Sequence, residues 1–299
     1  MADALELLRL SHLNAIVDGY DSAVDHLVDV LGAALHLEIP DDGESRACLI
    51  SLGGVIFELF APNDRDAERG QGRLLGKFGD HYLGAEYTVP DVAVARERCA
   101  ALGVRIINDP GVFFFTHPAA CHGISFELWD QNWNDLLVEG SEASAHFSNA
   151  NGRTRMLATA EYWRDEHPLG LTGLVRISSA VEALDDAVAT FRDVVGATER
   201  YRVERPAAAA DAVGMQLGDT VIELLAPTTD GPSDGAVRQY LDRYGERIRS
   251  TVFGVADLVR VEKHFAERGI GLVDGDAPGV LAIPPEHNHG LRFEFSEES

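Results

Sequence analysis

The chain has 299 residues, and 25 Lys plus Arg against 49 Asp plus Glu give it a formal net charge of −24. That charge repels phosphate, which excludes nucleic acid and anionic membrane as expected partners. No charge-free apolar run is long enough to span a bilayer, since the best candidate, residues 47–61, carries Glu58 in its middle. Three cysteines without a CxxC spacing, and an acidic N-terminus without a basic signal region, point to a cytoplasmic chain of about two domains.

Residues 12–32 read as a short apolar strand opened by His12, an acidic turn and a helix with Ala23, Leu27 and Leu31 on one face. Short alternating segments follow, closing with VIFELFAP. Alternation places Glu58 on one sheet face with Ile56 and Phe60, and Phe57 and Leu59 on the other. The pattern returns at residues 84–103, opened by Gly84 with Glu86 two residues on. An aromatic strand (Phe113, Phe114, Phe115) comes next, its alternate rings expected in the core and on a pocket wall. A turn holding His117 and His122 then leads into ISFELWD around Glu127.

Residues 131–169 lack the repeat, and a helix is expected within 154–166, with Tyr162 and Trp163 packing on a domain. The third and fourth copies, residues 173–196 and 250–269, open with Gly173 and Ser250 and close around Glu223 and Glu294. Glu58 and Glu223 are 165 residues apart, and Glu127 and Glu294 are 167 apart, which marks a duplication. The expected fold class is α+β: four βαβββ modules forming two open-barrel domains. The first domain is assigned to residues 1–132, a partly helical linker to 133–169 and the second domain to 170–299. The pattern leaves open whether modules pair within or across the halves.

Four βαβββ units, with a His opening the first strand and a Glu in each closing strand, resemble the vicinal oxygen chelate superfamily. That group includes glyoxalase I, methylmalonyl-CoA epimerase, fosfomycin and bleomycin resistance proteins, and extradiol dioxygenases. The segment YLDRYGERIRSTVFGV resembles the epimerase segment that carries a His where Ser250 stands. The turn from Thr116-His117-Pro118 through His122-Gly123 resembles the family's Asp-Pro…Asp-Gly turn. The resemblance implies an open barrel around one divalent metal, with His12 and Glu58 as ligands from the first unit and Glu127 from the second. The second-unit His position is Gly84 here, and Glu86, on the same strand face, is expected to reach the vacated place. The second half, with Gly173 and Ser250 at the first-strand positions and Val175 and Val252 two residues beyond, looks degenerate as a metal site. Arg292 is the expected partner of Glu294, and Glu223 has no sequence-local partner.

Glu58 and Glu127 sit among large apolar residues, where an unpaired carboxylate costs several kcal/mol, so each needs a metal, an Arg or a proton. One neutral His and three carboxylates leave a divalent ion with one net negative charge. That donor set leans to Mn, Mg, Co or Fe, with Zn remaining open. Such an ion acidifies a C–H beside a bound oxygen and stabilises the enolate that forms. Glu58 or Glu86 is the expected base, His117 a proton shuttle at the barrel mouth, and Asn14 a donor to a substrate oxygen. The expectation is therefore a metal-dependent lyase or isomerase/epimerase acting on a small oxygenated organic molecule. A second copy of the chain is a candidate partner, and no P-loop or dinucleotide fingerprint calls for a nucleotide cofactor. The first rival is an extradiol ring-cleaving dioxygenase, which normally needs two His and one Glu around Fe²⁺; Gly84, Gly173 and Ser250 speak against it. The second is a non-enzymatic sequestering protein that uses the barrel as an apolar cup.

Overall fold

The structure is a computed structural model and describes residues 3–39, 41–139, 141, 155–229 and 231–298. The first unit consists of β1 (Arg9–Ile16), α1 (Tyr20–Asp25, continued by a π turn over His26–Val30), β2 (Ala34–Ile39), β3 (Ser45–Leu52) and β4 (Val55–Pro62). Ala23, Leu27 and Leu31 are buried, as their spacing requires of one helix face. The β3–β4 hairpin turns at Gly53 and Gly54, both at positive φ (60° and 81°), the backbone that a tight two-residue turn demands and glycine supplies without strain.

Helix α2 (Gly70–Phe78) leads into the second unit: β5 (His81–Thr88), α3 (Val92–Leu102), β6 (Ile106–Asn108), β7 (Phe113–Thr116) and β8 (Ser125–Trp129). Asp91 caps α3, accepting from the backbone N–H groups of Ala93 and Val94. A short α4 (Trp133–Leu136) follows. Part of the helix expected within 154–166 falls outside the described residues; what is described is a π turn over Tyr162–Glu166, with Trp163 buried.

The second half repeats the plan. Its third unit contains β9 (Leu171–Ala180), α5 (Leu184–Val195), β10 (Thr198–Arg205), β11 (Ala210–Leu217) and β12 (Thr220–Pro227). After α6 (Ala236–Tyr244) come β13 (Arg247–Val255), α7 (Leu258–Ala266), β14 (Val273–Asp274), β15 (Val280–Ala282) and β16 (Arg292–Ser296).

Each half forms its own eight-stranded mixed sheet, in the orders β2-β3-β4-β1-β5-β8-β7-β6 and β10-β11-β12-β9-β13-β16-β15-β14. Modules therefore pair within the halves. In each sheet the two opening strands run antiparallel at the centre, flanked in parallel by the closing strand of their own unit. The result is a pseudo-two-fold arrangement in which both Glu-bearing closing strands lie one step from the centre. Alternation then sorts the side chains: Phe57, Leu59, Phe126 and Leu128 join one apolar core that runs through both halves, where Phe57 meets Phe253 and Phe293. The opposite, concave face carries the charged residues. No helix among the described residues is long and apolar enough to cross a membrane.

Candidate metal centre

The register of four strands builds one cluster on the concave face of the first sheet. His12 on β1 lies opposite Glu86 on β5, and Glu86 lies opposite Glu127 on β8. On the other side of β1, Asn14 lies opposite Glu58 on β4. Side chains directly opposed across adjacent strands share a face, so the pairing alone brings these five together. His12 Nε2 is 3.3 Å from Glu58 Oε2 and 3.5 Å from Glu127 Oε2, while His12 Nδ1 is 3.5 Å from Glu86 Oε1. The side chains of His12, Glu86 and Glu127 are 1%, 2% and 6% exposed, whereas that of Glu58 is 15% exposed and forms the open edge of the cluster.

Burial alone would lower the His12 imidazole, but the Glu86 charge and the nearby Glu127 and Glu58 oxygens hold it well above its usual 6.5. Burial, against the opposing pull of His12, pushes the Glu58 and Glu127 carboxyls up from 4.5. In spite of this crowding, neither ring nitrogen of His12 makes a hydrogen bond, and Glu86 Oε1 has no partner either. Orphaned buried polar atoms of this kind are costly unless a ligand completes them. One donor atom each from His12, Glu86 and Glu127 lie within 4.8 Å of one another. A ring nitrogen and a Glu86 oxygen without hydrogen-bond partners, converging with a Glu127 oxygen, suit a divalent cation that takes the place of the His12 proton.

The other residues expected at the site fall in different places. The Asn14 amide, expected to meet a substrate oxygen, donates to Glu127 Oε2 at 3.0 Å. It orients a carboxylate of the cluster. His117 is not brought to the cluster. β7 ends at Thr116 and the chain turns away, so that His117 caps a 3₁₀ turn over Pro118–Ala120 and its Nδ1 accepts from the Ala119 N–H. Its ring lines a groove shared with His81, Tyr244 and Arg247 at the seam of the two halves, and this position corrects the expectation of a shuttle at the barrel mouth. Gly84 faces the backbone of β8: a Cβ there would sit 2.1 Å from the Ser125 carbonyl oxygen. The strand spacing therefore leaves no room for the His that the family resemblance places at that position.

The aromatic strand divides as its alternation requires. Phe114 is fully buried in the core, and Phe113 and Phe115 pack edge to face (5.8 Å) opposite Trp129 and Glu127. Sequence reasoning did not find the segment that covers this face from the linker side. Trp133, Leu137 and Leu157 pack over Leu49 and Ile56, and the Trp133 N–H donates to Ser11 Oγ at 3.1 Å. The apolar spacing of Trp133 and Leu137 was the available signal.

In the second half the register corrects the position matched to His12. Ser178 lies opposite Glu223 as Asn14 lies opposite Glu58, so Arg176, two residues before Ser178, occupies the place of His12; Gly173 and Val175 do not. Glu223 is satisfied by Arg205 Nη2 (2.5 Å), the Tyr201 hydroxyl (2.9 Å) and Arg176 Nε (3.4 Å). Arg292 Nε donates to Glu294 Oε1 at 2.8 Å, and Arg249 and Asp276 form a second buried pair beside it. Where the first half gathers carboxylates around a histidine, the second pairs its carboxylates with arginines.

Two eight-stranded sheets, each built from two βαβββ units around a concave face, constitute the two-domain vicinal oxygen chelate fold. A substituted variant of 4-hydroxymandelate synthase from Streptomyces coelicolor matches with a TM-score of 0.70 and 16% identity, over 97% of this chain and 92% of that one. At that identity the likeness is one of fold. Methylmalonyl-CoA epimerase from Mycobacterium tuberculosis is 22% identical, with a TM-score of 0.40 over 47% of this chain and 91% of that one. No protein-family model and no curated protein matches the chain.

Proposed function

We propose that the first half holds a divalent cation on His12, Glu86 and Glu127, and that the chain is a lyase or isomerase/epimerase acting on a small oxygenated organic molecule. The observation that carries this reading is the buried His12 ring, set among three carboxylates with both nitrogens unpartnered. When bound, the cation supplies charge stabilisation for an oxygen that becomes negative as a neighbouring C–H is deprotonated. Glu58, more exposed than the other three residues and at the open edge, is placed to take that proton. Asn14 fixes the orientation of Glu127 through its 3.0 Å hydrogen bond. Phe113, Phe115 and Trp129 share the sheet face of Glu127 and supply apolar surface beside the cluster. A single histidine with two carboxylates, and a third carboxylate at the open edge, favours this chemistry over the dioxygenase reading, which rests on two histidines and one carboxylate.

The test is solvent exchange. The metal-loaded chain is incubated in D₂O with a panel of small 2-hydroxy and 2-oxo acids and their esters, and deuterium uptake at carbon is read by NMR. Uptake that needs the metal and is lost in Glu58→Gln supports the proposal. Uptake that persists unchanged in Glu58→Gln refutes Glu58 as the base.

A further inference from the structure

The concave face of the second sheet inverts the charge of the first. Arg176, at the place of His12, is 2% exposed; its Nη1 donates to Glu298 Oε2 at 2.9 Å, and its Nη2 makes no hydrogen bond. Arg176, Arg200, Tyr201 and Arg205 line a cavity of about 990 Å³ whose apolar side includes Leu174 and Val203. That volume is at the upper end of the range for small-molecule sites, about 300–1,000 Å³. Four guanidinium groups line it, of Arg9, Arg176, Arg200 and Arg205, in a chain whose net charge is −24, and Arg9 is paired with Asp135. The carboxylates about them are Glu223, Glu298 and Asp219, and Asp219 is engaged by the Leu10 N–H and the Thr220 hydroxyl. Glu223 is fully buried and held by Arg205 and Tyr201. Glu298 has a side chain 54% exposed and bonds to the site through Arg176.

Glu298 thus shows a carboxylate already seated on a buried guanidinium whose second terminal nitrogen is free. Guanidinium and carboxylate are matched for a two-point contact, and such charge-assisted bonds are about twice as strong as neutral ones. We infer that this cavity, closed on its other side by residues 9–11 and 53–56 of the first half, binds a small organic carboxylate on the arginines of the second half and without the His12 cluster, none of whose residues lines it. The ligand displaces Glu298 from Arg176, lays its apolar body against Leu174 and Val203, and meets Arg200 at the rim. Arg200 is exposed and donates to Gln216 Oε1 at 2.7 Å, so it can swing without unfolding anything.

The test is calorimetric titration of the 299-residue chain, treated with a chelator so that no metal in the first half takes up the carboxylate. The probes are hexanoate, its neutral analogue hexanamide, and inorganic phosphate. Hexanoate is expected to bind at least about tenfold more tightly than either of the others, since only it offers both a carboxylate and an apolar body. Glu298→Gln is expected to tighten hexanoate binding about three- to tenfold by removing an intramolecular competitor. Arg200→Ala is expected to weaken it by a similar factor, about three- to tenfold. Both substitutions are at exposed positions and spare the buried pairs. Absence of hexanoate binding in both the wild type and Glu298→Gln overturns the inference. So does hexanoate affinity that neither substitution moves, or equal affinity for hexanamide.

Discussion

Glu86→Gln separates a ligand from a bystander, because the amide keeps the carboxylate's shape while it removes the charge and turns one acceptor oxygen into an NH₂ donor. Glu86 is buried and its Oε1 lies 3.5 Å from His12 Nδ1. At that distance and an effective dielectric of about 20, the gross attraction between the carboxylate and an imidazolium is about 5 kcal/mol. A cation entering the site takes over that carboxylate, but it must first expel the proton that the carboxylate helps His12 to hold. The two effects oppose each other, so the net loss of metal affinity in Glu86→Gln is smaller than the gross term. It is expected at about 10- to 100-fold, or about 1.4–2.7 kcal/mol. Competition titration of Mn²⁺ against a chelating indicator at neutral pH reads this directly, with circular dichroism to show an unchanged fold. An affinity equal to that of the wild type refutes Glu86 as a ligand or its immediate support.

The remaining predictions concern proton linkage and the second half. In the metal-free protein, His12, Glu58 and Glu127 all bind protons more tightly when folded than when unfolded, because their pKa values are raised. The stability they contribute is complete below their ordinary values of 4.5 and 6.5 and is lost as pH rises through the raised ones. The gap in Tm between Mn²⁺-loaded and chelated protein should therefore widen as pH rises above about 6.5, and a gap that narrows contradicts the linkage. Glu223→Gln breaks a fully buried ion pair and should cost about 3 kcal/mol, lowering Tm by about 6–12 °C, while Mn²⁺ affinity stays at the wild-type value. Loss of metal affinity in that variant would place the metal in the wrong half.

The repeat and its alternation were legible because a period-two pattern puts a closing-strand Glu on one face whatever the neighbouring strands do. Glu58, Glu127, Glu223 and Glu294 all lie on the concave faces for that reason. Cross-strand partners are set by ladder register, which the opening residue of a strand does not reveal. β9 runs for ten residues against eight in β1, and its ladder with β13 carries register shifts between Ile248 and Ser250, Val252 and Phe253, and Gly254 and Val255. Aligning Gly173 with His12 therefore missed Arg176, and with it the answer to what satisfies Glu223. The placement of His117 depends on the direction of a turn after Thr116, which composition alone does not determine. The Asn14 amide was assigned to a substrate because its cross-sheet neighbour Glu127 is 113 residues away in sequence.

The most direct test of the central claim is the metal content of the purified chain and of His12→Ala, each incubated with Mn²⁺, freed of excess ion and measured by plasma mass spectrometry. The account predicts one tightly held divalent ion per wild-type chain and none in His12→Ala, with the far-UV circular dichroism of the two proteins superimposable. Removing the ring takes away the only nitrogen in the cluster of His12, Glu86 and Glu127. A wild-type chain that retains no metal, or a variant that retains as much as the wild type, would contradict it.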